Sequence, residues 1–212
     1  MKHIKKARNK QNNRMSITTE QIKELRDATG VSVMQCKDAL EKSGGDMEKA
    51  KIMLYKISKV SADKKADREL KAGVVVSYIH SNGSTGTLVE LLCETDFVAR
   101  NDDFKALARD IAMHITAMVP KYVKTEEVSE EEKKKTRELF EKEAEESSGK
   151  QTKEIHDKIV EGKLAAYFRE KVLLEQMFIK NPEISIRSLI EQGVQKFGER
   201  IEIGRFARFS VN

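Results

Sequence analysis

Residues 73–93 constrain the fold of this chain more than any other stretch. Gly73-Val-Val-Val-Ser-Tyr-Ile-His80 and Thr87-Leu-Val-Glu-Leu-Leu-Cys93 are rich in β-forming residues. They flank Ser81-Asn-Gly-Ser-Thr-Gly86, in which Asn82-Gly83 is a strong hairpin-turn pair. A lone hairpin is marginal in water, so a distant segment has to complete the sheet. The candidate is Arg200-Ile-Glu-Ile-Gly-Arg-Phe-Ala-Arg-Phe209. Everything else of size reads as helix. The expected class is therefore α+β, with a small three-stranded antiparallel sheet packed with helices. Neither run of the hairpin alternates cleanly, so both faces of the sheet are expected to be covered.

Residues 16–58 predict three short helices. Thr18 and Gln21 form a capping box, Gly30 closes the first helix, and Gly44-Gly45 close the second. Asp46 caps the third, where Met47, Ala50, Leu54 and Ile57 recur at helical steps. Val33, Cys36 and Leu40 share a face of the second helix. About eight buried side chains at roughly 1.5–3 kcal/mol each give a small module of marginal stability. Residues 59–71 hold eight charged residues in thirteen and read as a linker.

The core domain is expected in two parts, 72–124 and 173–212. In the first, Asn101 caps a helix carrying Phe104, Leu107, Ile111, Ile115 and Met118, which Pro120 stops. In the second, Ser185 to Phe197 is amphipathic. Between them, residues 125–172 predict a helical hairpin. Lys124 to Glu154 has 19 charged residues of 31, and Ser147 to Lys150 breaks it between two arms. A hairpin so charged cannot bury itself fully and should project into solvent.

Charge placement narrows the function. The chain is formally +5, with a pI near 9.0, which invites a nucleic-acid partner. Residues 1–15 form a basic arm with few apolar residues, expected to be disordered, and they carry all of the excess. Lys2, Lys5, Lys6, Arg8, Lys10 and Arg14 face no acid, leaving 34 Lys and Arg against 35 Asp and Glu in the body. A body at net −1 does not suit a phosphate backbone, so a nucleic-acid- or ribosome-associated protein is the alternative reading. The arm lacks the apolar stretch of a secretory signal, and Met15 follows it as an alternative start.

No run of apolar residues is long enough to span a membrane. Cys36 and Cys93 lie far apart, and with four scattered histidines they show no zinc spacing. No metal or cofactor is expected, and a reduced, cytoplasmic setting fits. No phosphate loop, dinucleotide fingerprint or metalloprotease motif occurs. Cys93 with Glu94, Asp96 and His114 is the best nucleophile set, but Cys93 ends an apolar strand, where a structural cysteine is commoner. An enzyme is not expected. A coiled-coil scaffold is disfavoured because the first hairpin arm is poor in core positions.

One connection stands out. Cys93-Glu-Thr-Asp-Phe-Val-Ala-Arg-Asn101 places Phe97 and Val98 among charged residues between a strand and a helix. Either Thr95 or Asp96 caps a short helical turn with Phe97 tucked beneath it, or Phe97 docks on a partner. Sequence physics leaves the two equal.

Thr95-Asp-Phe-Val-Ala-Arg-Asn101 resembles a signature of the translation elongation factor Ts family. Ile22-Lys-Glu-Leu-Arg-Asp-Ala-Thr-Gly30 and Met34-Gln-Cys-Lys-Asp-Ala-Leu40 resemble its amino-terminal signature. Ile111-Ala-Met-His114, Ile159-Val-Glu-Gly-Lys163 and Arg205-Phe-Ala-Arg-Phe209 match in order, so the resemblance covers residues 15–212. It implies a guanine-nucleotide exchange factor for elongation factor Tu. The amino-terminal module would be a ubiquitin-associated-like (UBA-like) bundle, with Lys23, Arg26, Val33 and Met34 on its contact face. Val33 stands where many members carry Met. The intruding element would be Asp96-Phe97, set within Thr95, Val98, Ala99, Arg100 and Asn101. His114 would be a second contact, and the hairpin an antiparallel coiled coil. Long members have two core subdomains in one chain. Strands for only one occur here, so a homodimer is expected to supply the second.

Overall fold

The structure is a computed structural model that describes residues 17–147 and 153–211. The basic arm and the residues 148–150 of the predicted breaker lie outside the described residues. The chain divides into two compact units after Ile57.

The first unit holds α1 (Thr19–Thr29), α2 (Val33–Ser43) and the first part of α3 (Met47–Asp63). Its helix ends are written in the sequence. Thr18 Oγ1 accepts from Gln21 N at 3.2 Å, and Gln21 Oε1 accepts from Thr18 N at 3.0 Å. Gly30 and Gly44 end α1 and α2 in the left-handed region, each with φ of 67°. Leu25, Val31, Cys36, Ala39, Leu40, Ala50 and Leu54 form the core. Val33 is not among them: it is exposed at the first position of α2. Helix α3 continues to Asp63, because no glycine or proline interrupts it, so the first five residues of 59–71 are helical.

The second unit is built on an antiparallel sheet of β1 (Ala72–Ile79), β2 (Thr85–Cys93) and β5 (Ile201–Ser210), with β2 in the centre. The distant carboxy-terminal strand does complete the hairpin, and the α+β class with a three-stranded antiparallel sheet holds. Gly83, at φ 68°, makes the predicted turn. Val89, Leu91, Cys93, Ile201 and Ile203 face inward, buried. Helix α5 (Asp102–Met118) packs on this face through Phe104, Ala108, Ile111, Ala112 and Ile115. Val119, at φ 49°, and Pro120 then end it. Helix α8 (Ile186–Phe197) is capped by Ser185. Gly193 lets it pack tightly, since a Cβ there would lie 3.1 Å from Leu107 Cδ2. Phe104 and Phe197 meet edge to face at 5.6 Å.

Among the described residues, much of the outer face is uncovered, against the expectation that both faces are covered. Residues of β1 alternate half-buried and exposed, with Val75 and Ile79 pointing out. Leu88 of β2 and Phe209 of β5 are exposed beside them. A bulge between Glu90 and Leu91 leaves Gly204 opposite, where a Cβ would strike the Glu90 carboxylate.

Helices α6 (Glu130–Ser147) and α7 (Lys153–Lys171) run alongside each other over a thin seam of Ala144, Val160 and Leu164. Their root is tied down where Lys121 N and Tyr122 N donate to Lys171 O at 2.8 and 3.1 Å. Tyr122 also donates to Glu132, and Lys121 pairs with Glu132 at 2.8 Å. The helical turn α4 (Asp96–Arg100) is one of the two readings left open above; a second small hairpin of β3 (Met177–Phe178) and β4 (Asn181–Ser185) had no sequence forecast.

A candidate partner-binding turn

The strand β2 ends at Cys93, and the chain must turn there to enter α5. Thr95 makes the turn. Its backbone is extended at φ −127° and its hydroxyl accepts from Val98 N at 3.5 Å. The single turn of α4 follows, and Asn101 serves both helices. It ends α4 and caps α5, its Oδ1 accepting from Asp103 N at 2.8 Å. All seven residues predicted around Asp96-Phe97 therefore share one tight connection.

Their side chains divide sharply. Ala99 is 7% exposed and anchors the turn against the core, with Val98 half-buried beside it. Phe97 points the other way and is 83% exposed. Thr95 does cap the turn, but Phe97 is not tucked underneath. Asp96 pairs with Arg100 at 2.8 Å, both exposed. Such a surface pair contributes little to stability and leaves both charges available. An apolar ring held out on a capped, anchored turn costs solvation with no local return, which favours docking.

Cys93 is poorly placed to act as a nucleophile. It is fully buried and donates to Thr95 O at 3.2 Å. Burial pushes its thiol up, and the nearby Glu199 carboxylate adds to this, so the thiolate is disfavoured. Among the described residues, no group of three or more His, Cys, Asp or Glu is placed to hold a metal ion. No helix among them is long and apolar enough to cross a membrane.

His114 lies elsewhere. It is fully buried in α5 in the single chain. Its Nδ1 accepts from Ile179 N at 3.2 Å, so Nε2 carries the proton and donates to Gln176 Oε1 at 2.9 Å. Gln176 Nε2 in turn donates to Glu170 O at 2.6 Å and Met118 O at 3.3 Å. His114 thus ties the β3–β4 hairpin and the end of α7 to α5. Burial pushes its pKa below the usual histidine range, against a smaller opposite effect of Gln176.

The sign of the resulting pH dependence is fixed. The folded chain holds His114 neutral, whereas the unfolded chain protonates it below about 6.5. Its contribution is full above that value and falls as the pH drops toward the lowered folded pKa. Thermal unfolding from pH 7.5 to 5.5 should show this loss, and His114→Gln should flatten the slope. An unchanged slope in the variant would exclude His114 as its source.

In the first unit, Lys23 and Arg26 of α1 and Val33 and Met34 of α2 are all exposed, Met34 to 75%. Lys23 and Arg26, three residues apart, share one helix face. None of the four belongs to the core.

Residues 15–212 match the family model described as elongation factor TS. A protein of Thermodesulfovibrio yellowstonii named Elongation factor Ts is 47% identical over 197 residues, which is 93% of this chain and 97% of that protein. Its namesake in Fervidobacterium nodosum is 46% identical over 197 residues, covering 93% of this chain and 99% of that protein. The one in Heliobacterium modesticaldum is 48% identical over 195 residues, covering 92% and 90%. The match includes both the anchored Thr95–Asn101 turn and the amino-terminal helices. With identity this high over nearly the whole length of each partner, the chain belongs to the elongation factor Ts family.

Proposed function

We propose that this protein is a guanine-nucleotide exchange factor that binds elongation factor Tu·GDP and promotes GDP release during translation elongation. Family membership supports the exchange role in elongation, and a cytoplasmic setting goes with that reading. The single observation that carries the mechanism is Phe97, 83% exposed on a turn whose other side is anchored. In this reading Phe97 wedges into the partner's nucleotide-binding domain near its magnesium and phosphate site, with Asp96 beside it.

No covalent chemistry is needed. An exchange factor works by binding the nucleotide-free partner more tightly than the loaded one. The coupling is reciprocal, so returning nucleotide expels the factor. Each tenfold of release requires about 1.4 kcal/mol of differential affinity. Burying one phenyl ring supplies roughly 1.5–3 kcal/mol, which is of the right size.

The remaining surfaces have assigned parts. Residues 16–58 act as a UBA-like module that docks through Lys23, Arg26, Val33 and Met34. The 125–172 hairpin acts as a coiled coil that touches the partner elsewhere. Residues 59–71 connect the module to a core formed by 72–124 and 173–212. His114 contributes by holding the core's second hairpin. The outer sheet face mediates a homodimer, so that two chains provide the two core subdomains. Support for this is the exposed apolar set Val75, Ile79, Leu88 and Phe209. The test of the exchange reading is the rate at which elongation factor Tu loaded with fluorescent GDP releases it, with this protein expected to accelerate release.

A further inference from the structure

The base of the Thr95–Asn101 turn is held by a residue that no sequence pattern points to. Three donors converge on the Glu199 carboxylate. Thr95 Oγ1 donates to Oε1 at 2.5 Å, while Thr95 N and Glu94 N donate to Oε2 at 3.0 and 3.1 Å. The clasp is mutual. Glu94 Oε1 accepts from Arg200 N at 2.6 Å, and Arg68 Nη1 lies 3.3 Å from the same oxygen. These contacts hold the Glu94 carboxyl below its usual range, with the Arg200 amide the largest cause. Arg200 Nη1 closes the ring by donating to Arg68 O.

Each part has a local cause. The Glu94 and Thr95 amides follow the end of β2, beyond its pairing with β5, and need acceptors. Glu199 arrives opposite them because Gly198, at φ 74°, turns the chain sharply at the end of α8. The Thr95 hydroxyl is then used in both directions. It gives its proton to Glu199 and accepts from Val98 N, so the carboxylate orients the cap of α4.

We infer that Glu199 is a positioning residue for exchange: by clasping Glu94 and Thr95 it pre-sets the direction in which Asp96 and Phe97 are presented. This rests on the reading of Phe97 as the intruding element. Glu199 hydrogen-bonds neither Asp96 nor Phe97; it acts through the turn two residues before the ring. A pre-set turn keeps the affinity of the wedge from being lost to ordering on contact.

The test is a double-mutant cycle read in GDP release from elongation factor Tu. Glu199→Ala should slow the catalysed release about tenfold, equivalent to about 1.4 kcal/mol. In a Phe97→Ala background the same change should cost less than about twofold. Glu199→Gln retains an acceptor oxygen and should recover most of the rate. An equal loss in both backgrounds, or wild-type release by Glu199→Ala, would overturn the inference. A second measurement does not depend on the partner. Amide hydrogen exchange in the free protein should quicken at Glu94 and Thr95 in Glu199→Ala, and unchanged protection there would refute the clasp itself. If Phe97→Ala alone releases GDP at the wild-type rate, the wedge reading falls, while the exchange data still decide the clasp.

Discussion

Replacing Phe97 by alanine should slow catalysed GDP release from elongation factor Tu about tenfold, on the order of 1–2 kcal/mol in the transition state. The fold should not notice. Phe97 is 83% exposed, and the anchoring of its turn comes from Thr95, Ala99 and Asn101. Exposed substitutions away from special features change stability by about 0.5 kcal/mol or less. Melting temperature and helix content should therefore match wild type. This separation distinguishes a functional ring from a structural one, since a ring packed under the turn would cost both stability and rate. Wild-type release by the variant would remove Phe97 from the mechanism and leave the family assignment intact.

The second large effect concerns the outer sheet face. Leu88 stands on the central strand between Ser77 of β1 and Ala207 of β5, and the Glu90–Arg205 pair, at 3.5 Å, is its neighbour on the same face. In a two-fold homodimer through this face each substitution occurs twice, once from each side. Leu88→Arg would bring two like charges into a desolvated centre. The dimer should weaken at least a hundredfold, about 2.7 kcal/mol or more, and sedimentation velocity at micromolar protein should shift from dimer to monomer. Because Leu88 is 45% exposed in the single chain, the variant should still fold. A wild-type protein that sediments as a monomer at that concentration would sink the dimer. A variant that stays dimeric would move the interface to another face.

The fold was legible where its causes are local. Thr18 and Gln21, the left-handed glycines at 30 and 44, and the Asn82-Gly83 turn each satisfy a backbone requirement within a few residues. That β5 completes the sheet followed from the instability of a lone hairpin; its place beside β2 did not. The β3–β4 hairpin was not legible, because a two-residue strand and a strand containing Pro182 carry no periodicity. The extension of α3 to Asp63 was hidden by charge, which marks a solvated helix face as readily as a linker.

At the site, composition stated that Phe97 is out of place but not which way it points. That depended on Ala99 occupying the buried position of the turn. The surroundings of His114 and Thr95 were beyond reach for a different reason. Their partners Gln176 and Glu199 lie 62 and 104 residues away, and each is an ordinary polar residue until the fold brings it close. Nothing in the sequence marked either of them.

The most direct measurement is the release of fluorescent GDP from elongation factor Tu, followed by stopped flow with excess unlabelled GDP. The protein is added in increasing amounts. The account predicts a release rate that rises with its concentration and then saturates, with Phe97→Ala about tenfold below wild type. A release rate that stays at the spontaneous value at every concentration would contradict it.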